Sequence, residues 1–327
     1  MRFNKSSITG ISLDAAGLVA LADLTTIKQR TALMGSASFL DVLFLAPGIH
    51  TQQEAYNVNE GELPVTGAMT SGYVFRIENQ ATVSYLQGIG EPGALVTVQV
   101  DRPSTASSHP ILNHFYTGHF ITSILYLTGI ALTILSLVLL AIIHDEWAVG
   151  VLCMLIAARF LNMIIIMRRT QMGWKGIPEP GVSGDLLVLL SQDRWVRIQG
   201  LVDDLKAVTA GQWLREQTTF EGFAAAFATL LVYSAAALAP NASTVGSLII
   251  AALLLVSVAL LGLCNSFTKD LHMFGRRVYI SKKAKKYTRR LMMADELIAE
   301  QEGRNDWAIA MGLILPPSGH AVEKVIV

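Results

Sequence analysis

The sequence is poor in charge and in cysteine. Charged residues make up 15% of its 327 residues, against about 25% in soluble proteins. The two cysteines, Cys153 and Cys264, both lie inside apolar runs, which argues against a disulfide framework and favours two small buried hydrophobes. Basic and acidic residues number 25 each, so the chain has no net charge that would attract nucleic acid.

The sequence also lacks the patterns that carry chemistry. It has no glycine-rich loop to cradle a phosphate, and Ser183-Gly184-Asp185 lacks the context of a nucleophile motif. Asp203 and Asp204 are adjacent, so on a helix their side chains point apart and do not form an acid and base pair. Three histidines recur at a spacing that fits neither one helix face nor a zinc pattern, namely His109, His114 and His119. We therefore predict no catalytic residue, no metal site and no cofactor.

Long apolar runs are what the chain does have. A helix needs about 20 apolar residues to cross a hydrocarbon layer of roughly 30 Å. Four runs meet this condition, at residues 119–143, 147–167, 222–239 and 245–267. The sequence therefore predicts a multi-pass membrane protein with a four-helix transmembrane bundle.

Basic residues beside these runs predict the orientation. The connections 144–146 and 240–244 contain no Lys or Arg, whereas Arg168, Arg169 and Lys175 follow the second run. Because basic residues accumulate in cytoplasmic flanks, both termini are expected in the cytoplasm. Trp147 and Trp213 fit anchoring at the membrane interface.

A glycosylation sequon begins at Asn241, in the second outer connection. The connection is only a few residues long, so it leaves a glycosylating enzyme little room. We therefore expect no glycan at this site.

Residues 1–118 are predicted to be a cytoplasmic region of mixed α and β structure that ends in a linker at 103–110. Ser12 is a candidate cap for a helix that continues through Gln29, and 61–72 is a turn-rich connector. Alternating patterns predict strands at 73–78, 82–86 and 95–100, with a hairpin turn at 88–93.

The connection 168–221 is too long for a simple loop. Strands are predicted at 185–191 and 195–199 around a Gln192-Asp193 turn, followed by a helix over 201–214. Neither this hairpin nor the N-terminal strands are numerous enough to be stable alone. We therefore expect the two sets to pair in one sheet, which makes the cytoplasmic portion a mixed α+β fold.

Arg159 and Asn162 are the candidate polar site within the membrane. A charge near the middle of a span is costly, and such residues are often functional. Asn162 follows three residues later on the same helix face, so the two side chains fit a polar site between helices. Alternatively, Arg159 has a structural role and extends along its helix towards the cytoplasmic interface.

Residues 268–327 are predicted to be a basic cytoplasmic tail. Eight of its residues are candidates for binding anionic lipid, namely Arg276, Arg277, Lys282, Lys283, Lys285, Lys286, Arg289 and Arg290. Such clusters gain about 1 kcal/mol per basic residue near a charged bilayer. Alternatively, the cluster serves only as the signal that keeps the tail in the cytoplasm.

The stretch VRIQGLVDDLKAVTAGQWL at 196–214, together with the next two apolar runs and SKKAKKY, resembles a set of uncharacterised fungal multi-span integral membrane proteins. The resemblance covers the C-terminal half of the chain and implies a fungal origin with an unassigned role. Some such proteins are similar to accessory membrane proteins encoded beside enzymes of specialised metabolism.

The function that we predict from the sequence is a non-catalytic membrane adaptor or scaffold. One alternative is a transporter or channel component that uses Arg159 and Asn162, and another is a membrane enzyme acting on a lipophilic substrate. The expected partners are the lipid bilayer, including anionic lipids, and either unknown proteins or further copies of the chain. Small residues four apart in the third run, such as Gly222 and Ala226, favour close helix packing, either within the bundle or between copies of the chain.

Overall fold

The computed structural model describes residues 16–103 and 120–316. The chain forms two compact units. We call Met1–Glu60, Pro103–Gly173 and Gln212–Gly275 the membrane unit, and Gly61–Arg102, Trp174–Gly211 and Arg276–Val327 the sheet unit. The chain therefore passes between the units five times. This division differs from the predicted one, because residues 16–60 share a unit with the apolar helices.

The helices are α1 (Ala16–Ala20), α2 (Thr26–Leu33), α3 (Gln80–Ile89), α4 (Phe120–Ile142), α5 (Glu146–Arg169), α6 (Val202–Thr209), α7 (Thr219–Leu238), α8 (Thr244–Phe267), α9 (Arg290–Glu300) and α10 (Asp306–Ala310). The strands are β1 (Val65–Ala68), β2 (Val74–Arg76), β3 (Ala94–Asp101), β4 (Ser183–Leu190), β5 (Arg194–Leu201), β6 (Leu271–Met273) and β7 (Arg276–Lys286). Short 3-10 helices span Phe39–Leu43, Ile49–Asn57 and Ala239–Asn241.

Four helices of the membrane unit, α4, α5, α7 and α8, are long and apolar enough to cross a membrane. Polar caps fix where three of them begin: Asp145 accepts from the Ala148 N–H of α5, Thr218 forms a capping box with Glu221 of α7, and Ser243 caps α8. The predicted set of four apolar helices is thus confirmed. They pack mainly as two pairs, α4 with α8 and α5 with α7.

Residues 16–57, which we call the inserted segment, lie between these two pairs. Their helices and 3-10 helices contact α4, α5, α7 and α8. Phe44, Leu45 and Ile49 are buried, and the Phe44 ring stacks on Tyr126 of α4 at 5.0 Å between centroids. These residues therefore pack with the apolar helices and contribute no strand to the predicted α/β region. The predicted helix through Gln29 is broken between α1 and α2, and Ser12 lies outside the described residues.

The sheet of the sheet unit has the strand order β2-β1-β4-β5-β3-β7. Strands β3 and β5 are parallel, and the other neighbours are antiparallel. The N-terminal strands and the hairpin of the middle connection therefore do pair in one sheet, as predicted. The hairpin turns at Gln192 and Asp193, whose φ angles of 59° and 52° are those of a tight turn.

Several predictions for the sheet unit are wrong. Residues 82–86 belong to helix α3, because the Asn79 side chain accepts from the Thr82 N–H and caps a helix there. The turn at 88–93 consequently joins α3 to β3 and forms no hairpin. The connector 61–72 contains β1, and the helix predicted over 201–214 ends at Thr209.

Both faces of this sheet are covered. Helix α6 packs on one face through Leu205, which lies beside Gly184 and Gly200, and Thr82 of α3 donates to the Val208 carbonyl at 2.6 Å. Helices α9 and α10 cover part of the other face. Their shared core comprises Met69, Leu95, Leu187, Trp195, Met293, Leu297, Trp307 and Ala308. The predicted basic tail is thus folded through residue 310 as β7, α9 and α10.

Candidate functional site

A cluster of polar side chains is buried in the membrane unit around Arg159. Its Nε donates to the backbone carbonyl of Asp41 in the inserted segment at 3.0 Å. The Tyr126 hydroxyl of α4 donates to the Asp41 carboxylate. The guanidinium of Arg30 lies 5.6 Å from the centre of the Tyr126 ring. Two cations and one carboxylate therefore share one apolar surrounding.

Asn162 and Arg169 extend this cluster along α5. The Asn162 amide nitrogen donates to the Ile49 carbonyl at 2.9 Å, and its amide oxygen accepts from Gln53 at 3.0 Å. Arg169 donates to the Gln53 backbone carbonyl at 3.2 Å and to the Gln53 side-chain oxygen at 3.1 Å. The two candidate residues named from the sequence are thus brought together by the inserted segment.

A common pattern explains these contacts. Two other apolar helices also donate to carbonyls of the inserted segment, Thr229 to His50 at 3.3 Å and Asn265 to Thr26 at 2.9 Å. A carbonyl oxygen can accept two hydrogen bonds, and the Asp41 carbonyl does so, because it also accepts from the Phe44 N–H at 3.1 Å. The polar side chains of the apolar helices therefore bind the inserted segment through its backbone carbonyls.

Several buried side-chain atoms of the membrane unit have no hydrogen-bond partner among the described residues, including Oγ1 of Thr26, Nδ1 of His50 and Oδ1 of Asn265. Nη1 of Arg159 and the whole side-chain amide of Gln52 are two further cases. Buried polar atoms normally have a partner. These atoms are therefore the points at which a water molecule or a small polar ligand would bind.

The sheet unit buries charge in a different way. Arg197 of β5 donates from Nε to Asp185 of β4 at 2.9 Å and from Nη1 to Glu300 of α9 at 2.5 Å. Asp185 also accepts from Gln199 and Gln301 at 3.0 Å and 3.2 Å. Burial lowers the pKa of Arg197, but the bonds to the two carboxylates outweigh it and raise this pKa above its usual value.

The adjacent carboxylates of α6 have separate partners, as their spacing predicts. Asp204 is buried and accepts from Arg102 at 2.6 Å and from Arg276 at 3.0 Å. Asp203 accepts from the Glu179 N–H at 2.8 Å. Asp204 therefore ties the last residue of one segment of the sheet unit, Arg102, to the first residue of another, Arg276.

The basic residues proposed to bind lipid lie on β7 or just after it. Arg276 pairs with Asp204, Lys285 with Glu296 and Arg290 with Asp193. The guanidinium of Arg277 lies 5.0 Å from the centre of the Tyr279 ring. The remaining four are exposed, namely Lys282, Lys283, Lys286 and Arg289.

Trp213 and the glycosylation sequon have defined surroundings. Trp213 is buried and donates to the Gly35 carbonyl at 2.7 Å, so its ring packs inside the protein. Asn241 is exposed, while the Ser243 hydroxyl of the same sequon donates to Asp145 at 2.6 Å.

The cysteines and histidines form no metal site within the described residues. Cys264 is buried, Cys153 is exposed, and both are free thiols. The part of the chain that the structure describes holds no group of three or more His, Cys, Asp or Glu residues suited to a metal. His109, His114 and His119 lie outside the described residues.

The sequence analysis did not identify Arg30, Asp41, Gln53 or Tyr126 as members of the buried polar cluster. A local signal was present, because 39–49 is an apolar run interrupted by Asp41. A run of this length is too short to span a bilayer and is typical of a segment that enters a membrane protein without crossing it.

Comparison with known proteins gives no match to any protein-family model, curated protein or solved structure. The class of the protein therefore follows from its fold. Four helices that are long and apolar enough to cross a membrane form one unit with the inserted segment, and a mixed sheet with its helices forms the second unit.

Proposed function

We propose that this protein is a non-catalytic membrane adaptor that holds a protein partner through its sheet unit. The observation that carries the proposal is a sheet that has helices of its own unit packed on both faces and that ends at β2, which has one paired edge among the described residues. The chain passes five times between the two units, so the sheet unit is covalently linked to the membrane unit at five points. A large folded unit with an open edge is suited to recruitment.

The edge strand β2 offers both backbone groups and aromatic surface. The Ala68 N–H donates to the Tyr73 carbonyl at 2.8 Å, so residues 73 and 75 face β1. Because this alternation has a period of two, the N–H and C=O groups of Val74 and Arg76 point away from the sheet. Tyr73 is 69% exposed and stacks on Phe75 at 5.8 Å. An extended peptide that added a strand at β2 would pair with these groups.

The distribution of basic residues supports a cytoplasmic position for both termini and for the sheet unit. The resemblance to fungal multi-span proteins supports a fungal membrane as the location, with enzymes of specialised metabolism as the partners to look for first. Lys282, Lys283, Lys286 and Arg289 remain candidates for contact with anionic lipid, because their side chains are exposed.

The experiment is affinity purification of the full chain in detergent from its native host, followed by mass spectrometry of proteins and small molecules. Val74→Pro removes the outward N–H of β2, and Val74→Ala shortens the same side chain but keeps the N–H. We expect a stoichiometric protein partner with the wild type and Val74→Ala, and its loss with Val74→Pro. A partner that Val74→Pro retains would contradict docking at β2. A small molecule without any protein partner would contradict the adaptor itself.

A second candidate function is passage of a small anion through the membrane unit. It is favoured by Nη1 of Arg159 and the Gln52 amide, which are buried without a partner among the described residues, and by the excess of cations in the cluster. Gln52→Leu tests this function, because the change removes the Gln52 amide without breaking any hydrogen bond of that amide within the described chain. Chloride uptake into vesicles containing the protein would fall with Gln52→Leu if this function holds, and no uptake by the wild type would exclude it for chloride.

A further inference from the structure

The loop at 174–182 of the sheet unit presents two large apolar side chains to its surroundings. Trp174 is 86% exposed and Ile177 is 82% exposed. Single exposed apolar residues are common on proteins, but a Trp and an Ile three positions apart, both almost fully exposed, leave a large apolar area in water. This arrangement is unfavourable unless another surface covers it.

The backbone of this loop is held in place, so the exposure does not result from a loose chain. Lys206 of α6 donates to the Ile177 carbonyl at 2.8 Å, and Asp203 accepts from the Glu179 N–H at 2.8 Å. Lys175 donates to the Ala210 carbonyl. Gly176 has a φ of 73°, a left-handed conformation that turns the chain between the two apolar residues. The loop is thus preorganised to present Trp174 and Ile177.

The end of helix α5, just before the loop in the chain, indicates which surface covers Trp174 and Ile177. Helix α5 ends at Arg169 with Arg168 in its last turn, and basic residues mark the point where a span leaves the bilayer. Trp174 follows Arg169 by five positions in the chain, so their Cα atoms lie at most about 18 Å apart. The interface between headgroups and acyl chains is therefore within reach of the loop, and Trp is the side chain that favours this layer.

We propose that Trp174 and Ile177 insert into the interfacial layer of the membrane that α5 crosses, as a contact of the sheet unit with lipid. This contact is separate from the docking of a partner at β2, so the two can succeed or fail independently.

The test uses tryptophan fluorescence of the full chain in phosphatidylcholine nanodiscs that hold one copy each. Of the five tryptophans, Trp195, Trp213 and Trp307 are buried and Trp147 is exposed on α5. All measurements therefore use Trp147→Phe, which removes the exposed tryptophan of α5. The emission of Trp174 is obtained by subtracting the spectrum of Trp147→Phe/Trp174→Phe from that of Trp147→Phe. Adding Ile177→Trp to the double variant places a single probe at position 177.

We expect the Trp174 emission to be blue-shifted, quenched by phosphatidylcholine brominated near the start of its acyl chains, and shielded from acrylamide. The tryptophan at position 177 should behave in the same way. Red-shifted emission that acrylamide quenches and brominated lipid does not would overturn the proposal. Shielding from both quenchers would also overturn it, because the purified single copy would then cover the loop with its own protein surface.

Discussion

Arginine is buried in both units, but its partners differ. Arg159 in the membrane unit is 2% exposed and donates to a backbone carbonyl. Arg197 in the sheet unit is 7% exposed and donates to two carboxylates. The same guanidinium group thus supports irregular backbone in one unit and joins secondary-structure elements in the other.

The difference follows from how each unit satisfies its backbone. Strand ladders pair the backbone groups of the sheet unit, so its buried cation is left to balance side-chain charges. The inserted segment has no ladder, and polar side chains of the apolar helices donate to its backbone carbonyls. The role of a polar residue on an apolar helix therefore depends on which backbone groups lie opposite its side chain.

The largest effect is expected from Arg159→Leu. The change removes the side-chain donor to the Asp41 carbonyl, which keeps its bond from the Phe44 N–H, and removes a cation beside the buried Asp41 carboxylate. Loss of one partner from such a site costs about 4 kcal/mol. The loss is measured as the difference in the free energy of unfolding between the variant and the wild type in mild detergent.

The matched control is Arg168→Leu on the same helix. The Arg168 side chain is 63% exposed and lies 3.4 Å from Glu221, so its removal should cost less than about 1 kcal/mol. Equal losses for the two variants would show that Arg159 does not support the inserted segment, and the comparison between the units would fail.

Arg197→Met is expected to have the next largest effect. It leaves the Asp185 carboxylate buried without a cation, although Gln199 and Gln301 remain as donors. We expect a loss of about 3 kcal/mol in the free energy of unfolding. Arg290→Met, whose pair with Asp193 is exposed, should lose less than about 1 kcal/mol. If Arg197→Met and Arg290→Met lose the same free energy of unfolding, the stability of the sheet unit does not depend on its buried charge pairs.

Gly129→Ala tests how tightly the inserted segment packs. A Cβ at this position of α4 would lie 2.3 Å from Cε2 of Phe44, which is buried and cannot move aside freely. We expect a loss of about 2 kcal/mol from overpacking. Gly262→Ala in α8 is the control, because its Cβ would meet nothing within 4 Å. A neutral Gly129→Ala would indicate that Phe44 does not occupy this position.

The apolar helices and the central hairpin were predictable because their signals are local. A run of 20 apolar residues and the Gln192-Asp193 turn each specify structure within a few neighbours. Helix α3 was mistaken for a strand because the alternation at 82–86 is short, and the cap at Asn79 lies outside it.

The inserted segment was not predictable by the same reasoning. Its α2 has no apolar stripe that would identify a buried face, and its 3-10 helices have no periodic signature. Arg159 and Asn162 were identified as a site because polar residues in a span are conspicuous. Their acceptors are carbonyls of residues more than 100 positions away, which no local pattern reveals.

The smallest predicted effect is a loss of stability at low pH, and we expect it in the sheet unit alone. The bond from Lys285 lowers the pKa of Glu296 on α9, and the bond from Arg304 lowers that of Asp306 on α10. A carboxylate whose pKa is lowered by folding stabilises the folded state above its unfolded pKa, and this contribution is lost as the pH falls through the lowered value. Protection of α9 and α10 against hydrogen exchange should therefore decrease below about pH 4, near the unfolded pKa of these carboxyl groups. The double variant Glu296→Gln/Asp306→Asn should weaken this pH dependence, while that of α4 and α8 stays unchanged. An unaltered pH dependence in the variant would mean that other carboxylates hold these two helices on the sheet.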